Sequence, residues 1–173
     1  MEQTIWVLFL LFFCLRLGTL AVSIRNEKRL NQNGAKEFGK RNSLAMAVLH
    51  VIFYLSAIFE AALRGVAFDG WSLTGVVLFI CSYIVLLAVI FQLREIWTVK
   101  LYIAEDQKIN KSFLFKYVRH PNYFLNIVPE LIGIGLLCHA WYAMIILFPL
   151  YAVTVMVRVI QEEKIMKERF VDF

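Results

Sequence analysis

The sequence predicts an all-α integral membrane protein with five transmembrane helices. Hydrophobic residues make up 61% of the 173 residues and charged residues 18%, whereas a soluble domain has about 45–50% and about 25%. The apolar residues form five runs, each close to the ~20 residues with which an α-helix crosses a bilayer. This composition excludes a disordered chain and a disulfide-rich secreted module, and it argues strongly against a soluble enzyme.

The five runs predict the helices in chain order, at about residues 4–22, 43–63, 71–93, 121–138 and 141–160. The first run lacks the basic flank and small-residue cleavage site of a signal peptide and follows the acidic Glu2, so we predict a membrane helix there. All five runs are continuously apolar rather than alternating, which disfavours strands. The tight turn near residues 139–140 predicts that the last two helices form an antiparallel hairpin, and we treat residues 1–173 as a single domain.

The basic residues predict the orientation of these helices. Six follow the first helix, one follows the second, six follow the third, none lies in the next turn and four lie at the end of the chain. Loops rich in lysine and arginine stay on the cytoplasmic side. We therefore expect five crossings, with the N-terminus outside and the C-terminus in the cytoplasm, in what we expect to be a bacterial inner membrane.

The sequence disfavours two kinds of partner, nucleic acids and metal ions. The chain has 18 Lys+Arg against 13 Asp+Glu, but the positive charges follow the membrane topology rather than a stripe on a soluble fold, so we expect no nucleic acid. The cysteines and histidines are scattered at different depths and have no metal-ligand spacing, so we expect no metal.

Polar residues gather at the predicted cytoplasmic ends of the last two helices. Residues 119–123 read Arg-His-Pro-Asn-Tyr before the fourth apolar run, and Arg158, Glu162 and Glu163 close the fifth. From the turn at residues 139–140, the two groups are about 24 Å and about 27 Å away at ~1.5 Å per helical residue. The two groups should therefore meet at the inner edge of the membrane. Interfacial anchoring is the alternative interpretation of such residues.

The Arg-His-Pro-Asn-Tyr motif, a helical hairpin and then Arg158-x-x-x-Glu162-Glu163 resemble the isoprenylcysteine carboxyl methyltransferase family. The upstream segments resemble a small bacterial branch that includes a protein similar to alkylpyrone O-methyltransferases. The resemblance implies an integral membrane enzyme that uses S-adenosylmethionine, with the cofactor bound under the hairpin by about residues 92–170. It also implies roles for individual residues. The implied cofactor-binding residues are Arg119, His120, Tyr123, Glu162, Glu163 and Ile109. The implied catalytic residues are Arg158 and Glu162.

Ionisable residues inside the apolar runs are the remaining candidates, because a charge in the membrane is costly and commonly functional. We assign a catalytic role to His50, which lies in the inner third of the second helix and could line an acceptor channel; a packed, satisfied histidine is the alternative. Glu130 follows Pro129 and could face a kink or cavity. For Glu60 we favour a structural or interfacial role, and Arg16 is close enough to the inner end of its helix to extend toward the membrane surface.

The predicted activity is methyl transfer to an oxygen of a lipophilic acceptor, a carboxylate, an enol or a phenol. Prenylcysteine-like carboxylates and alkylpyrones or alkylresorcinols are examples, and we expect the acceptor to enter from the bilayer. A non-catalytic membrane subunit, a small transporter and an NADPH-dependent membrane reductase are the alternatives. A transporter would carry polar residues at mid-depth in several helices, whereas here they concentrate at the inner face. A homodimer is compatible with the sequence.

Overall fold

The computed structural model describes residues 2–103, 118 and 120–169, with the backbone alone at residue 169. Long helices dominate the fold: α1 spans Gln3–Gln32, α2 Lys40–Arg64, α3 Gly70–Leu93, and α5 Trp141–Arg169. Between α3 and α5 lies α4, Val128–Leu137, which continues directly from a π-helical segment, Asn122–Ile127. A short 3₁₀ turn, Arg94–Ile96, follows α3. The prediction of an all-α fold is confirmed for the membrane part of the described chain.

The number of membrane crossings is only partly tested by these lengths. Helices α1, α2, α3 and α5 are long and apolar enough to cross a membrane. The fourth predicted helix, Asn122–Leu137, is shorter and combines two helix types. Five crossings therefore stay a prediction, whereas a multi-pass membrane protein is established by the four long helices.

Two helices run well beyond their predicted ends. Helix α1 continues from the expected Val22 to Gln32, and α5 continues from Ile160 to Arg169. Both extensions are polar and contain neither glycine nor proline, so nothing in the backbone ends the helix at the membrane surface. The apolar pattern therefore marked the part of each helix that lies in lipid, not the end of the helix itself.

Neighbouring helix ends show that the chain alternates in direction. The Glu2 N–H donates to the Val66 carbonyl at 3.0 Å, which joins the start of α1 to the end of α2. At the opposite end, the Asn26 side chain donates to the Trp97 carbonyl at 2.8 Å, which joins the last part of α1 to the segment after α3. Charge distribution predicts that this second end is cytoplasmic. We call it the inner end.

Helices α3 and α4 form the most extensive helix pairing of the described chain, and two glycines make it possible. A Cβ on Gly133 would lie 2.8 Å from the Gly75 carbonyl oxygen, and a Cβ on Gly75 would clash with the Gly133 carbonyl oxygen in turn. Small residues let membrane helices approach closely enough for backbone contact. The close contact with α3 therefore fixes the position of α4 in the bundle.

The inner end also contains a small sheet that the sequence did not predict. Strand β1, Lys36–Phe38, pairs antiparallel with β2, Leu101–Ile103. A salt bridge of 2.7 Å between Lys100 and Glu27 fastens the sheet to α1. Strands of three residues carry too little pattern to be recognised in a sequence.

At the outer end, the side chain of Glu60 on α2 caps the first turn of α5. Its two carboxylate oxygens accept the backbone N–H groups of Tyr142 and Ala143 at 3.2 and 3.3 Å. These are the donors that a helix start leaves unsatisfied, and the residue in the cap position, Ala140, has no side-chain acceptor of its own. The structural role predicted for Glu60 is therefore confirmed.

Candidate active site

Three side chains from the two predicted groups meet at the inner end. The His120 Nδ1 lies 3.0 Å from Glu162 Oε2, and the Tyr123 hydroxyl donates a hydrogen bond to the other carboxylate oxygen of Glu162. His120 is 9% exposed and Tyr123 6% exposed. The sequence-based expectation that residues near 120 and 162 reach the same depth agrees with this geometry. We call His120, Tyr123 and Glu162 the inner cluster.

The local backbone explains why His120 and Tyr123 point to one carboxylate. The N–H of Tyr123 donates to the His120 carbonyl at 3.1 Å, so the chain turns immediately after the histidine. Pro121 sits in this first turn, where its missing N–H costs no hydrogen bond. The π-helical segment then begins at Asn122. Segments of this type are frequent at functional sites.

The inner cluster has both signs of charge. Glu163 Oε1 lies 3.6 Å from His120 Nε2, so the imidazole faces two carboxylates. Burial alone would lower the pKa of His120, but its hydrogen bond with Glu162 and the charges of Glu162 and Glu163 outweigh burial and raise the pKa above the ordinary value. The histidine therefore carries more positive charge near neutral pH than an isolated imidazole.

Arg158 lies one helical turn before Glu162 on α5 and is completely buried. Its Nη2 donates to the Ser43 hydroxyl of α2, whereas its Nε and Nη1 have no hydrogen-bond partner among the described residues. A buried guanidinium with two unused donors is costly without a ligand. Arg158 thus has donors free for an anionic or polar group.

Two of the sequence-predicted residues cannot be located in this site. Arg119 and Ile109 lie outside the described residues. Their predicted contacts to a cofactor stay predictions that rest on the sequence motif alone.

His50 belongs to a different group of residues. Its Nε2 lies 3.5 Å from Glu130 Oε1, in the membrane interior, and its ring stacks on Tyr54 at 5.0 Å between centroids. Glu130 Oε1 also pairs with Arg16 Nε at 2.8 Å and accepts the Tyr54 hydroxyl. We call Arg16, His50, Tyr54 and Glu130 the membrane cluster. His50 and Glu162 were both predicted as catalytic residues, and the structure places them in two different groups, His50 in the membrane cluster and Glu162 in the inner cluster.

The expectation that Arg16 extends to the membrane surface is wrong. Its side chain is 17% exposed and turns inward to Glu130, which is 1% exposed. An arginine near a helix end can reach water, but a buried carboxylate offers it a full opposite charge. The presence of Glu130 in an apolar run was the signal that could have identified this pairing.

The structure contains a cavity of about 170 Å³ beside the membrane cluster. Its wall combines membrane-cluster residues with residues from the inner end, namely Arg16, His50, Tyr54, Trp97, Asn122 and Asn126. Asn122 precedes Tyr123 directly, so the cavity lies beside the inner cluster. No role was predicted for Trp97, for Asn126 or for Asn122 of the Arg-His-Pro-Asn-Tyr motif; an asparagine within an apolar run was the available signal for Asn126.

The part of the chain that contains this site is similar to a known protein family. Residues 75–168 match the isoprenylcysteine carboxyl methyltransferase (ICMT) family, and this range includes the whole inner cluster and Arg158. The chain belongs to the isoprenylcysteine carboxyl methyltransferase family. Members are generally S-adenosylmethionine-dependent enzymes, so the chain is a membrane methyltransferase.

Two relatives cover nearly the full chain. An uncharacterized protein of Haemophilus influenzae is 46% identical over 164 residues, with 95% of each chain covered. The uncharacterized protein YpbQ of Bacillus subtilis is 28% identical over 163 residues, with 94% of this chain and 96% of YpbQ covered. No solved structure matches the chain. The resemblance on which the motif prediction rested is confirmed at the level of the family.

Proposed function

We propose that the protein is an S-adenosylmethionine-dependent O-methyltransferase that modifies a lipophilic acceptor. The observation that carries the proposal is the inner cluster together with Arg158: one carboxylate bound by a histidine and a tyrosine, beside a buried guanidinium whose Nε and Nη1 have no hydrogen-bond partner among the described residues. The acceptor oxygen belongs to a carboxylate, an enol or a phenol of a molecule with an apolar body, such as a prenylcysteine-like carboxylate, an alkylpyrone or an alkylresorcinol.

The residues of the inner end fit the charges of this cofactor. S-Adenosylmethionine carries an ammonium, a carboxylate and ribose hydroxyls. Arg158 Nε and Nη1 supply donors for a carboxylate, and Glu162 and Glu163 supply acceptors for an ammonium or hydroxyls. Arg158 has buried donors without a partner among the described residues, which supports a ligand at this position, because native proteins rarely leave such atoms unsatisfied.

When bound, S-adenosylmethionine supplies a methyl group on a sulfonium, which an acceptor oxygen takes as the carbon–sulfur bond breaks. The protein's part is to align the acceptor and exclude water. An ionised carboxylate or acidic enol needs little help from a base, whereas a phenol benefits from a proton acceptor. His50 at the cavity wall is the residue that we propose for that role.

The apolar helix faces support an acceptor that reaches the site through lipid. Leu17, Leu20 and Val51 line the cavity and are each more than 40% exposed. An apolar tail would extend past them into the bilayer, with its polar head beside the inner cluster. We further propose an inner-membrane location with a cytoplasmic C-terminus, where the soluble cofactor is available.

The test uses purified protein in detergent micelles with methyl-labelled S-adenosylmethionine. We expect cofactor binding by the wild type, and methyl transfer to one member of a panel of prenylcysteines, alkylpyrones and alkylresorcinols. Glu162→Gln and Arg158→Lys should weaken cofactor binding at least about tenfold, since each removes charge-assisted hydrogen bonds. Glu168→Gln, an exposed change on the same helix, is the matched control.

Two results would contradict the proposal. The first is a wild-type protein that binds no S-adenosylmethionine, which would favour a non-catalytic membrane subunit. The second is binding of NADPH in its place, which would favour a membrane reductase. Unaltered cofactor affinity in both Glu162→Gln and Arg158→Lys would reject the inner cluster as the cofactor site.

A further inference from the structure

A permanently charged side chain lines the cavity from α1. Among the described residues of the cavity wall, Arg16 is the single one that is charged throughout the physiological pH range; the others are apolar or neutral, apart from the titratable His50. Its counter-ion Glu130 does not line the cavity and is 1% exposed, whereas the Arg16 side chain is 17% exposed. The wall therefore carries a positive charge, and the compensating negative charge lies behind it.

Glu130 engages one side of the Arg16 guanidinium and leaves the other side unused by the described chain. The ion pair joins Arg16 Nε to Glu130 Oε1 at 2.8 Å. The two terminal nitrogens of Arg16, Nη1 and Nη2, donate no hydrogen bond to any described residue. A guanidinium is planar, and the edge that carries Nη1 and Nη2 matches the lone pairs of an oxyanion. Arg16 thus has donors left for an oxygen inside the cavity.

A second donor in the same wall points to the same kind of ligand. Trp97 is 3% exposed, and its Nε1, which can only donate, has no hydrogen-bond partner among the described residues. The Trp97 carbonyl accepts the Asn26 side chain at 2.8 Å, so α1 holds the segment that carries the indole. Asn126 Oδ1 also lacks a partner within the described chain, but this neutral amide oxygen repels an anion less than a guanidinium attracts it. The wall as a whole favours an oxygen with a negative charge.

The surroundings strengthen the attraction between Arg16 and an anion. Many residues of the wall are apolar, among them Phe13, Leu17, Leu20, Met46, Val51 and Ile127. Charges in an apolar environment are screened far less than charges in water. Because Glu130 lies behind the wall, an anion in the cavity is nearer to the guanidinium than to the carboxylate.

We infer that Arg16 binds the methyl-accepting oxygen in its ionised form through Nη1 and Nη2, and is thereby a catalytic residue of the transfer. The inference rests on the proposed function, which supplies the reaction. Glu130 holds the guanidinium from behind the wall. His50, in the same wall, takes the proton from an acceptor that is not already ionised. A carboxylate, an enolate and a phenolate all present the charge that Arg16 recognises.

The charge of the acceptor oxygen changes during the reaction. A lone pair of this oxygen forms the new oxygen–carbon bond, and the electron pair of the broken carbon–sulfur bond stays on the sulfur. The oxygen loses its negative charge and the sulfonium loses its positive charge, so the methylated product is neutral at this position. Arg16 therefore binds the acceptor more tightly than its methylated product, which favours product release.

Equilibrium binding in lipid nanodiscs without S-adenosylmethionine measures this difference. Each free acceptor is compared with its own O-methyl derivative, at a pH at which the free form is ionised. The two pairs are hexadecanoate with its methyl ester, and 4-hydroxy-6-pentadecyl-2-pyrone with its 4-methoxy derivative. We expect the wild type to prefer the ionised member of at least one pair about tenfold or more, because charge-assisted hydrogen bonds contribute about that factor. The pair that shows the preference distinguishes a carboxylate from an enolate.

Two variants remove the interaction in different ways. Arg16→Met/Glu130→Gln removes both charges of the ion pair and should abolish the preference, with binding of the O-methyl derivatives unchanged. Arg16→Lys keeps a positive charge for Glu130 but lacks the second edge of the guanidinium, and should reduce the preference at least about threefold. Arg25→Met, an exposed arginine of α1 outside the cavity wall, is the matched control and should leave the preference unchanged. Arg16→Lys decides the question if the double variant does not fold.

Two results would overturn the inference. One is a wild type that binds neither free acceptor more tightly than its O-methyl derivative, and the other is an unchanged preference in the folded double variant or, in its absence, in Arg16→Lys. Either result can occur while S-adenosylmethionine binds and methyl transfer proceeds, in which case the proposed function stands and Arg16 serves only as the counter-ion of Glu130. Absence of cofactor binding, with an Arg16-dependent preference, would instead reject the proposed function and with it the catalytic role, and would leave a site for anionic lipids.

Discussion

Arg16 of α1 and Glu130 of α4 form an ion pair inside the helix bundle, with 2.8 Å between Nε and Oε1. The two residues are far apart in the chain, and their contact joins the first helix to the shortest one. In the membrane interior, removal of one partner leaves an uncompensated charge in a medium of low dielectric constant. The pair therefore constrains how α1 packs on the rest of the protein.

Loss of the glutamate charge should destabilise the fold strongly. Glu130→Gln leaves Arg16 buried without a counter-charge, and we expect a loss of about 3–5 kcal/mol in the free energy of unfolding. The double variant Arg16→Met/Glu130→Gln removes both charges and should recover most of this loss. Denaturation of purified protein in mixed micelles measures both values. Equal stability of the single and double variants would contradict this prediction, because it would mean that Arg16 without its counter-charge carries no penalty.

A methyl group between α3 and α4 should also destabilise the protein. Gly133→Ala places a Cβ against the Gly75 carbonyl and the Phe79 backbone, so the helices must separate. Overpacking of this kind costs about 1–3 kcal/mol. Gly18→Ala is the matched control, because nothing lies within 4 Å of a Cβ on that exposed α1 residue, and it should be neutral or stabilising. An identical melting temperature for Gly133→Ala and the wild type would disprove the close approach.

The inner cluster should make stability depend on pH through His120. Its raised pKa means that the folded protein binds the imidazolium proton more tightly than the unfolded chain does. The resulting stabilisation is complete below the ordinary histidine pKa of about 6.5 and disappears as the pH rises through the raised value. Thermal unfolding without cofactor, from about pH 5.5 to about pH 9, should show this decline.

The matched variant for this measurement is His120→Asn, which keeps a polar side chain without a titratable group. It should lack the part of the pH dependence that lies above about pH 6.5. The same slope in His120→Asn and the wild type would assign the pH dependence to another group.

Glu60 should control how α5 begins. Glu60→Ala removes the acceptors of the Tyr142 and Ala143 N–H groups, and a lost helix cap costs about 0.5–2 kcal/mol. Glu60→Gln retains one oxygen and should lose less. Hydrogen exchange at the start of α5 is the specific readout, because fraying raises exchange there before the whole protein unfolds. Unchanged exchange in Glu60→Ala would show that water or another group caps this helix equally well.

Much of the candidate site could be predicted from local sequence. The helix rise gives the distance of each motif from the tight turn that joins the two helices. Arg-His-Pro-Asn-Tyr and Arg158-x-x-x-Glu162 lie at similar distances from that turn, so the spacing alone predicted that they meet. The partners within the site could not be predicted in this way. Arg158 contacts Ser43 rather than the neighbouring Glu162, because helix packing decides which of several nearby acceptors a long side chain meets.

The sequence by itself determined a multi-pass helical membrane protein of a methyltransferase family, since apolar run length and a two-part motif are local properties. The tertiary structure decided that Arg16 turns inward to Glu130, that His50 faces the same carboxylate, and that a cavity lies beside them, lined by His50, Trp97 and Asn122. These features depend on contacts between helices distant in the chain, and the approach of α3 and α4 through Gly75 and Gly133 helps to set them.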